Sequence, residues 1–254
     1  MISGGSVCVE MIFRDLPFLD RLEAVAATGA PAYEFWRWAD KDLRAIAECA
    51  RRLGLRCAGL VGSGGGPLVD PARREAFLQG LRESIEAARA VGATSLIATT
   101  GQALPDVERA RQHASVVDGL RAAAPIAADA GVTLVLEPLN TRLDHAGYYL
   151  ETTAEGVQIV DEVGSLAVRL LFDAYHAAVM GEDIEAEVRA QAARIGHVHV
   201  ADAPGRHEPG TGQVAYGGFF AALARSAYDG WVGLEFRPLG DHHRAVVDTL
   251  GLIS

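Results

Sequence analysis

Short apolar runs recur along the chain, each behind a stretch of helical periodicity: SVCVE, PAYEFW, LRCAGL, TSLIAT, VTLVLE, AVRLLFD, HVHVAD and WVGLEF. Glycines at Gly29, Gly54, Gly92, Gly131, Gly164, Gly196 and Gly230 stand before most of them, where a left-handed helix C-cap belongs. The periodicity predicts helices over Pro17–Thr28, Lys41–Leu53, Pro71–Val91, Pro105–Ala130, Thr152–Val163 and Asp183–Ile195, with Asp70 as N-cap ahead of Pro71. Helix and strand alternating eight times give a parallel sheet, because each helix carries the chain back to the same end. In 254 residues, half of them apolar, the fit is an α/β fold of the (β/α)8 TIM barrel type, one domain over 1–254. An open doubly wound sheet is the alternative, but VCVEMIFRDLPF contains no GxGxxG turn and the SGGG segment lacks a P-loop lysine. Gly62 to Gly66 reads as a flexible loop after the third strand.

Four successive apolar runs end on residues that do not belong in a core: Glu137, Asp173, the pair His197 and His199, and Glu235. Side chains alternate along a strand, so Thr133, Val135 and Glu137 share a face, as do Arg169, Leu171 and Asp173, and Trp231, Gly233 and Glu235. If those faces line the barrel, Glu137, Asp173, His199 and Glu235 meet at its C-terminal mouth, where barrel enzymes build active sites. Three carboxylates and an imidazole packed together repel or bind protons unless a cation sits among them. A divalent metal resolves the conflict, and oxygen-rich ligation favours Mn²⁺ or Mg²⁺, with Co²⁺, Zn²⁺ or Fe²⁺ as further candidates. Such an ion would acidify the C–H beside a bound carbonyl, and two carboxylates on opposite sides of the substrate would serve as proton acceptor and donor.

The remaining polar residues read more plainly. His197, one layer deeper than His199, is a satisfied core histidine. Glu34 and Arg169 point inward into a buried ion pair or a role behind the ligands. His113, His242 and His243 fall on helical surfaces, and Trp36 and Trp38 are pocket walls or packing. Three sparse cysteines, Cys8, Cys49 and Cys57, predict free thiols in a reducing compartment, and no segment reads as a leader or a membrane span, which predicts a cytoplasmic protein. A net charge of −10 opposes nucleic acid and anionic membrane. A homo-oligomer, with Trp36, Trp38 and Tyr228 at its interface, is a further expectation.

The segments LEPLN, FDAYH, GHVHVADAPGRHEPGTGQVAYGGFF and GWVGLEFRP, with PFLDRLEAVAATGAPAYEF near the start, resemble the hydroxypyruvate isomerase family. That family lies within the xylose isomerase-like TIM barrel superfamily, which also holds ketose 3-epimerases. The resemblance spans essentially the whole chain. It implies a metal-dependent aldose–ketose type isomerase acting on a small keto acid or sugar, carrying hydroxypyruvate to tartronate semialdehyde through an enediolate, with Glu137 and Glu235 as proton donor and acceptor and substrate contacts at His176 and Arg206. Arg206, His207 and Arg237 are the candidates for holding a substrate carboxylate. The alternatives are a ketose 3-epimerase, a 2-oxo-tetronate-type isomerase, a metal-dependent endonuclease of the same barrel type and a non-catalytic binding barrel.

Overall fold

The computed structural model describes residues 2–62 and 66–253. Its strands, all parallel, are β1 (Gly4–Cys8), β2 (Ala32–Glu34), β3 (Arg56–Cys57), β4 (Gly59–Val61), β5 (Ser95–Ala98), β6 (Thr133–Leu136), β7 (Val168–Asp173), β8 (Ile195–Val200) and β9 (Trp231–Leu234). They run in the order β3-β2-β1-β9-β8-β7-β6-β5-β4. The run LRCAGL, expected as one strand, is two. It bends at Ala58 so that β3 pairs with β2 while β4 pairs with β5. Backbone bonds from Phe35 N to Gly59 O and from Val61 N to Trp36 O, both 3.3 Å, close the seam. The two pieces act as one stave of an eight-staved barrel.

Outside the barrel run α1 (Phe18–Ala27), α2 (Leu43–Leu53), α3 (Arg74–Val91), α4 (Arg109–Asp129), α5 (Thr153–Val163), α6 (Ala174–Met180), α7 (Ile184–Gln191), α8 (Tyr216–Arg225) and α9 (His242–Ile253). Three of the expected helix starts are made by these side-chain caps. Asp42 accepts from Ala45 N and Thr152 from Glu155 N, while Asp70 accepts from Ala72 N to open a 3-10 turn that leads into α3. Each such cap stabilises its helix by about 1 kcal/mol. Gly54, Gly92 and Gly164 are the left-handed C-caps the sequence predicts. Gly196 is not a cap: it lies inside β8, beside a register shift between β7 and β8. A Cβ there would come within 2.8 Å of Arg169 Cβ and 3.0 Å of Val135 Cγ1, so packing is what requires glycine. Gly230 likewise lacks a positive φ.

The main hydrophobic core lies between the staves and the helices, and Ile97, Val135 and Leu171 form a separate layer inside the barrel. That inner plug lies one step below Glu137 and Asp173, which follow Val135 and Leu171 on the same faces of their strands. Tyr228 is 3% exposed and donates to Trp231 O, which removes it from any interface with another chain. Part of the glycine-rich segment from Gly62 to Gly66, residues 63–65, lies outside the described residues. No described helix is long and apolar enough to cross a membrane.

Candidate metal centre

Strand alternation carries each acidic residue to the same height. Glu137 and Glu235 extend their staves by one backbone bond each, Glu137 N to Ala98 O (3.1 Å) and Glu235 N to Val200 O (3.2 Å). Asp173 is the last residue of β7 and His199 pairs beside it in β8. One ligand atom from each of Glu137, Asp173, His199 and Glu235 lies within 4.8 Å of all the others, and all four residues are buried.

Their surroundings differ. Asp173 doubles as the N-cap of α6, its Oδ1 accepting from Tyr175 N (2.8 Å) and His176 N (3.1 Å). Burial works against its charge, but His176, Arg206 and His199 outweigh burial and hold its carboxyl below the usual range. Glu235 is gripped at both oxygens: Trp36 Nε1 donates to Oε1 at 2.9 Å, and Arg206 Nη2 contacts Oε2. Among the described residues Glu137 has no close side-chain donor; His199 Nδ1 lies 3.7 Å from its Oε1 and works against the rise in its pKa. Burial, then the charges of Glu235 and Asp173, push its carboxyl up to about 7.

Beneath the four lies Glu34, whose Oε1 is 2.8 Å from His199 Nε2 and whose Oε2 is 3.1 Å from His197 Nε2. His197 is thus the satisfied core histidine expected, and Glu34 stands behind the ligand set. Burial opposes the Glu34 charge, yet His199 and His197 hold its carboxyl far below the ordinary range. Arg169, by contrast, meets no carboxylate; its guanidinium donates to Ile195 O and Ala193 O below the plug.

The residues present fit a divalent ion. Both ring nitrogens of His199 are buried without a well-formed hydrogen bond, and Nδ1 faces Glu137 and Glu235 at 3.7 and 3.5 Å. A donor set of three carboxylates and one imidazole, with no thiolate, suits a hard or borderline cation.

Arg206 reaches this cluster from the loop after β8. Its Nη2 is also 3.8 Å from Asp173 Oδ2, and its guanidinium lies 5.1 Å from the centre of the Tyr175 ring. The residue holds a left-handed backbone with φ of 56°, a conformation that costs a non-glycine residue on the order of 1 kcal/mol. Asp202 enforces it: buried, its carboxylate accepts from Ala203 N, Gly210 N and Val214 N at 2.8 to 3.0 Å. Asp202 was not among the residues the sequence singled out; an aspartate just ahead of APG was the available signal. Of the other expected substrate contacts, His176 is buried with Nε2 3.5 Å from Asp173 Oδ2. His207 Nδ1 meets Arg237 O at 2.7 Å, and the Arg237 side chain is exposed at the rim. Trp36 is drawn into the site through Glu235, whereas Trp38 packs against the core. His113 on α4 pairs with Glu162 on α5, His242 accepts from Phe13 N, and His243 faces Ala27 O, and none of the three belongs to the four-residue cluster.

Residues 22–251 match the sequence profile of the xylose isomerase-like TIM barrel. The chain belongs to that family. A 2-oxo-tetronate isomerase from Cupriavidus necator is 34% identical over 237 residues, 91% of each chain. Hydroxypyruvate isomerase from Escherichia coli is 30% identical over 240 residues, covering 92% of this chain and 93% of its own. Among solved structures, a protein described as an AP endonuclease, family 2, from Brucella melitensis superposes with a TM-score of 0.90 at 28% identity, covering 96% of each chain. The two sequence relatives are isomerases by name, and the Brucella melitensis structure carries an endonuclease name.

Proposed function

We propose that the protein is a divalent-metal-dependent isomerase of small 2-oxo acids, with hydroxypyruvate to tartronate semialdehyde as its reaction. The observation that carries this reading is the convergence of Glu137, Asp173, His199 and Glu235 on one buried point. All four would hold the ion, Mn²⁺ or Mg²⁺ by their chemistry. When bound, such an ion supplies electrophilic polarisation of a carbonyl oxygen and its neighbouring hydroxyl.

The protein's own groups move the protons. Glu137, buried at the point where the four side chains meet, is placed to take the C3 proton of hydroxypyruvate and return one to C2, while the O3 hydroxyl proton passes to O2. Glu235, tied by Trp36 and Arg206, is the second carboxylate and the partner for transfer on the opposite face. Arg206 is the carboxylate anchor, with His207 and Arg237 at the rim as auxiliary cations. The buried plug and the walls of Trp36 and Tyr175 limit water around the reacting carbons.

Two carboxylates on one site also favour a second reading, a ketose 3-epimerase, in which one removes the C3 proton and the other returns it from behind. A panel of 2-oxo acids and ketoses in D₂O, followed by NMR, separates the two: deuterium at C2 of a product from hydroxypyruvate supports the isomerase. Uptake confined to C3 of a ketose would replace it. Arg206→Ala adds a control, because a 2-oxo acid should lose far more turnover than a neutral ketose.

A further inference from the structure

Asn140, the last residue of LEPLN, has its amide fixed from both ends. Its Oδ1 accepts from the backbone nitrogens of Leu143 (3.1 Å) and Asp144 (3.0 Å), and its Nδ2 donates to Asp144 Oδ2 at 2.8 Å. Two N–H donors require an oxygen and a carboxylate requires an N–H, so the amide has one possible orientation. Tyr175 OH holds the same Asp144 oxygen at 2.8 Å. In that orientation Asn140 Nδ2 lies 2.6 Å from His176 Nδ1, and the backbone N of Asn140 donates to that nitrogen at 3.2 Å.

Two N–H groups converging on His176 Nδ1 leave it only one role, that of acceptor, and the proton of a neutral imidazole then sits on Nε2. His176 is 2% exposed, and its Nε2 has no hydrogen-bond partner among the described residues. The nearest carboxylate oxygen, Asp173 Oδ2, is 3.5 Å away, which places this free donor beside the ligand cluster.

We propose that Asn140 is a positioning residue that holds His176 in the Nε2–H form, so that the ring offers a neutral hydrogen-bond donor to a substrate oxygen and does not serve as a base. The substrate class this selects is one with a carbonyl, hydroxyl or carboxylate oxygen next to the reacting carbons, and the inference rests on the isomerase reading for that role. A neutral donor at this point strengthens its bond as the oxygen gains negative charge, without adding a cation that would compete with the ion for the carboxylates.

The test uses the full-length, Mg²⁺-loaded protein labelled with ¹⁵N-histidine, and long-range ¹H–¹⁵N correlation spectra with the His176 signals identified by their loss in His176→Gln. The expected spectrum shows Nδ1 bare and Nε2 protonated. A ring protonated on Nδ1, or on both nitrogens, overturns the proposal. The spectrum needs no substrate, so it is decided separately from the isomerase reading. Asn140→Asp replaces the amide donor by an acceptor, and is expected to move the proton to Nδ1 and lower kcat/KM about tenfold, the loss of one hydrogen bond. In the His176→Gln background, where the side chain has no tautomer to set, the same change is expected to cost little. Equal losses in both backgrounds would mean that Asn140 serves only the loop, and would also overturn the proposal.

Discussion

Glu34→Gln tests how the ligand cluster is held. Glu34 is 4% exposed, and its two oxygens face His199 Nε2 at 2.8 Å and His197 Nε2 at 3.1 Å. A glutamine keeps the volume but has one oxygen, so one imidazole meets an NH₂ group instead of an acceptor. Leaving a buried polar group unpaired costs about 1–3 kcal/mol, and removing a carboxylate from charged partners lies at the upper end of that range. For a chain of this size, about 3 kcal/mol lowers the melting temperature by about 6–12 °C. His199 also loses the carboxylate behind it, a change that typically weakens metal affinity by about 10–100-fold. Thermal unfolding of the metal-free protein and calorimetric titration with Mn²⁺ read the two effects independently. An unchanged melting temperature together with unchanged Mn²⁺ affinity would refute the reasoning, because it would mean that neither histidine depends on Glu34.

Further outcomes follow from the same geometry. Gly233→Ala places a Cβ 2.5 Å from His199 Cδ2 and 2.7 Å from Glu34 Oε1, so Mn²⁺ affinity should fall and unfolding should come earlier by about 1–3 kcal/mol; wild-type values in both assays would argue against the packing account. Because Glu137 is pushed up to about 7 from an ordinary 4.5, the folded metal-free chain binds this proton more tightly than the unfolded chain. Its stability should therefore fall, by on the order of 3 kcal/mol, as pH rises through that window. His199 adds no loss below its ordinary 6.5; burial opposes its charge, but Glu235 and Glu34 hold its pKa well above that value, so from there upward its contribution also declines as pH rises. Saturating Mg²⁺ or Mn²⁺ should displace the Glu137 proton and flatten the profile in melting curves; a profile indifferent to metal would contradict it. Trp36→Phe removes the donor to Glu235 Oε1 and should lower kcat about tenfold with little change in melting temperature, as measured by steady-state kinetics beside unfolding.

Much of this site was legible because its information is local and periodic. Glu137, Asp173, His199 and Glu235 each end an apolar run, and a period of two carries them to one face without knowledge of the rest of the chain. The barrel was legible for the same reason, helix and strand alternating with capped starts. What the sequence hid depends on distant segments meeting. Trp36 and Glu235 are 199 residues apart, Glu34 and His197 are 163 apart, and nothing near either predicts the bond. The α6 helix was hidden by its own first residues, since FDAYH reads as a strand end while Asp173 both closes β7 and caps α6. Gly196 misled because a glycine before an apolar run signals a C-cap unless a bulge and a facing arginine require the space. Asn140 belonged to a quoted motif, but its meaning lies in the His176 ring across the barrel mouth.

The central claim is that four side chains, remote in sequence, share one cation. Isothermal titration of the metal-stripped protein with Mn²⁺, repeated on Glu137→Gln, Asp173→Asn, His199→Ala and Glu235→Gln, tests it directly. The account predicts one ion per chain, with every one of the four changes weakening binding more than Glu34→Gln does. A protein that binds no Mn²⁺, or binds it equally well after these substitutions, would contradict it.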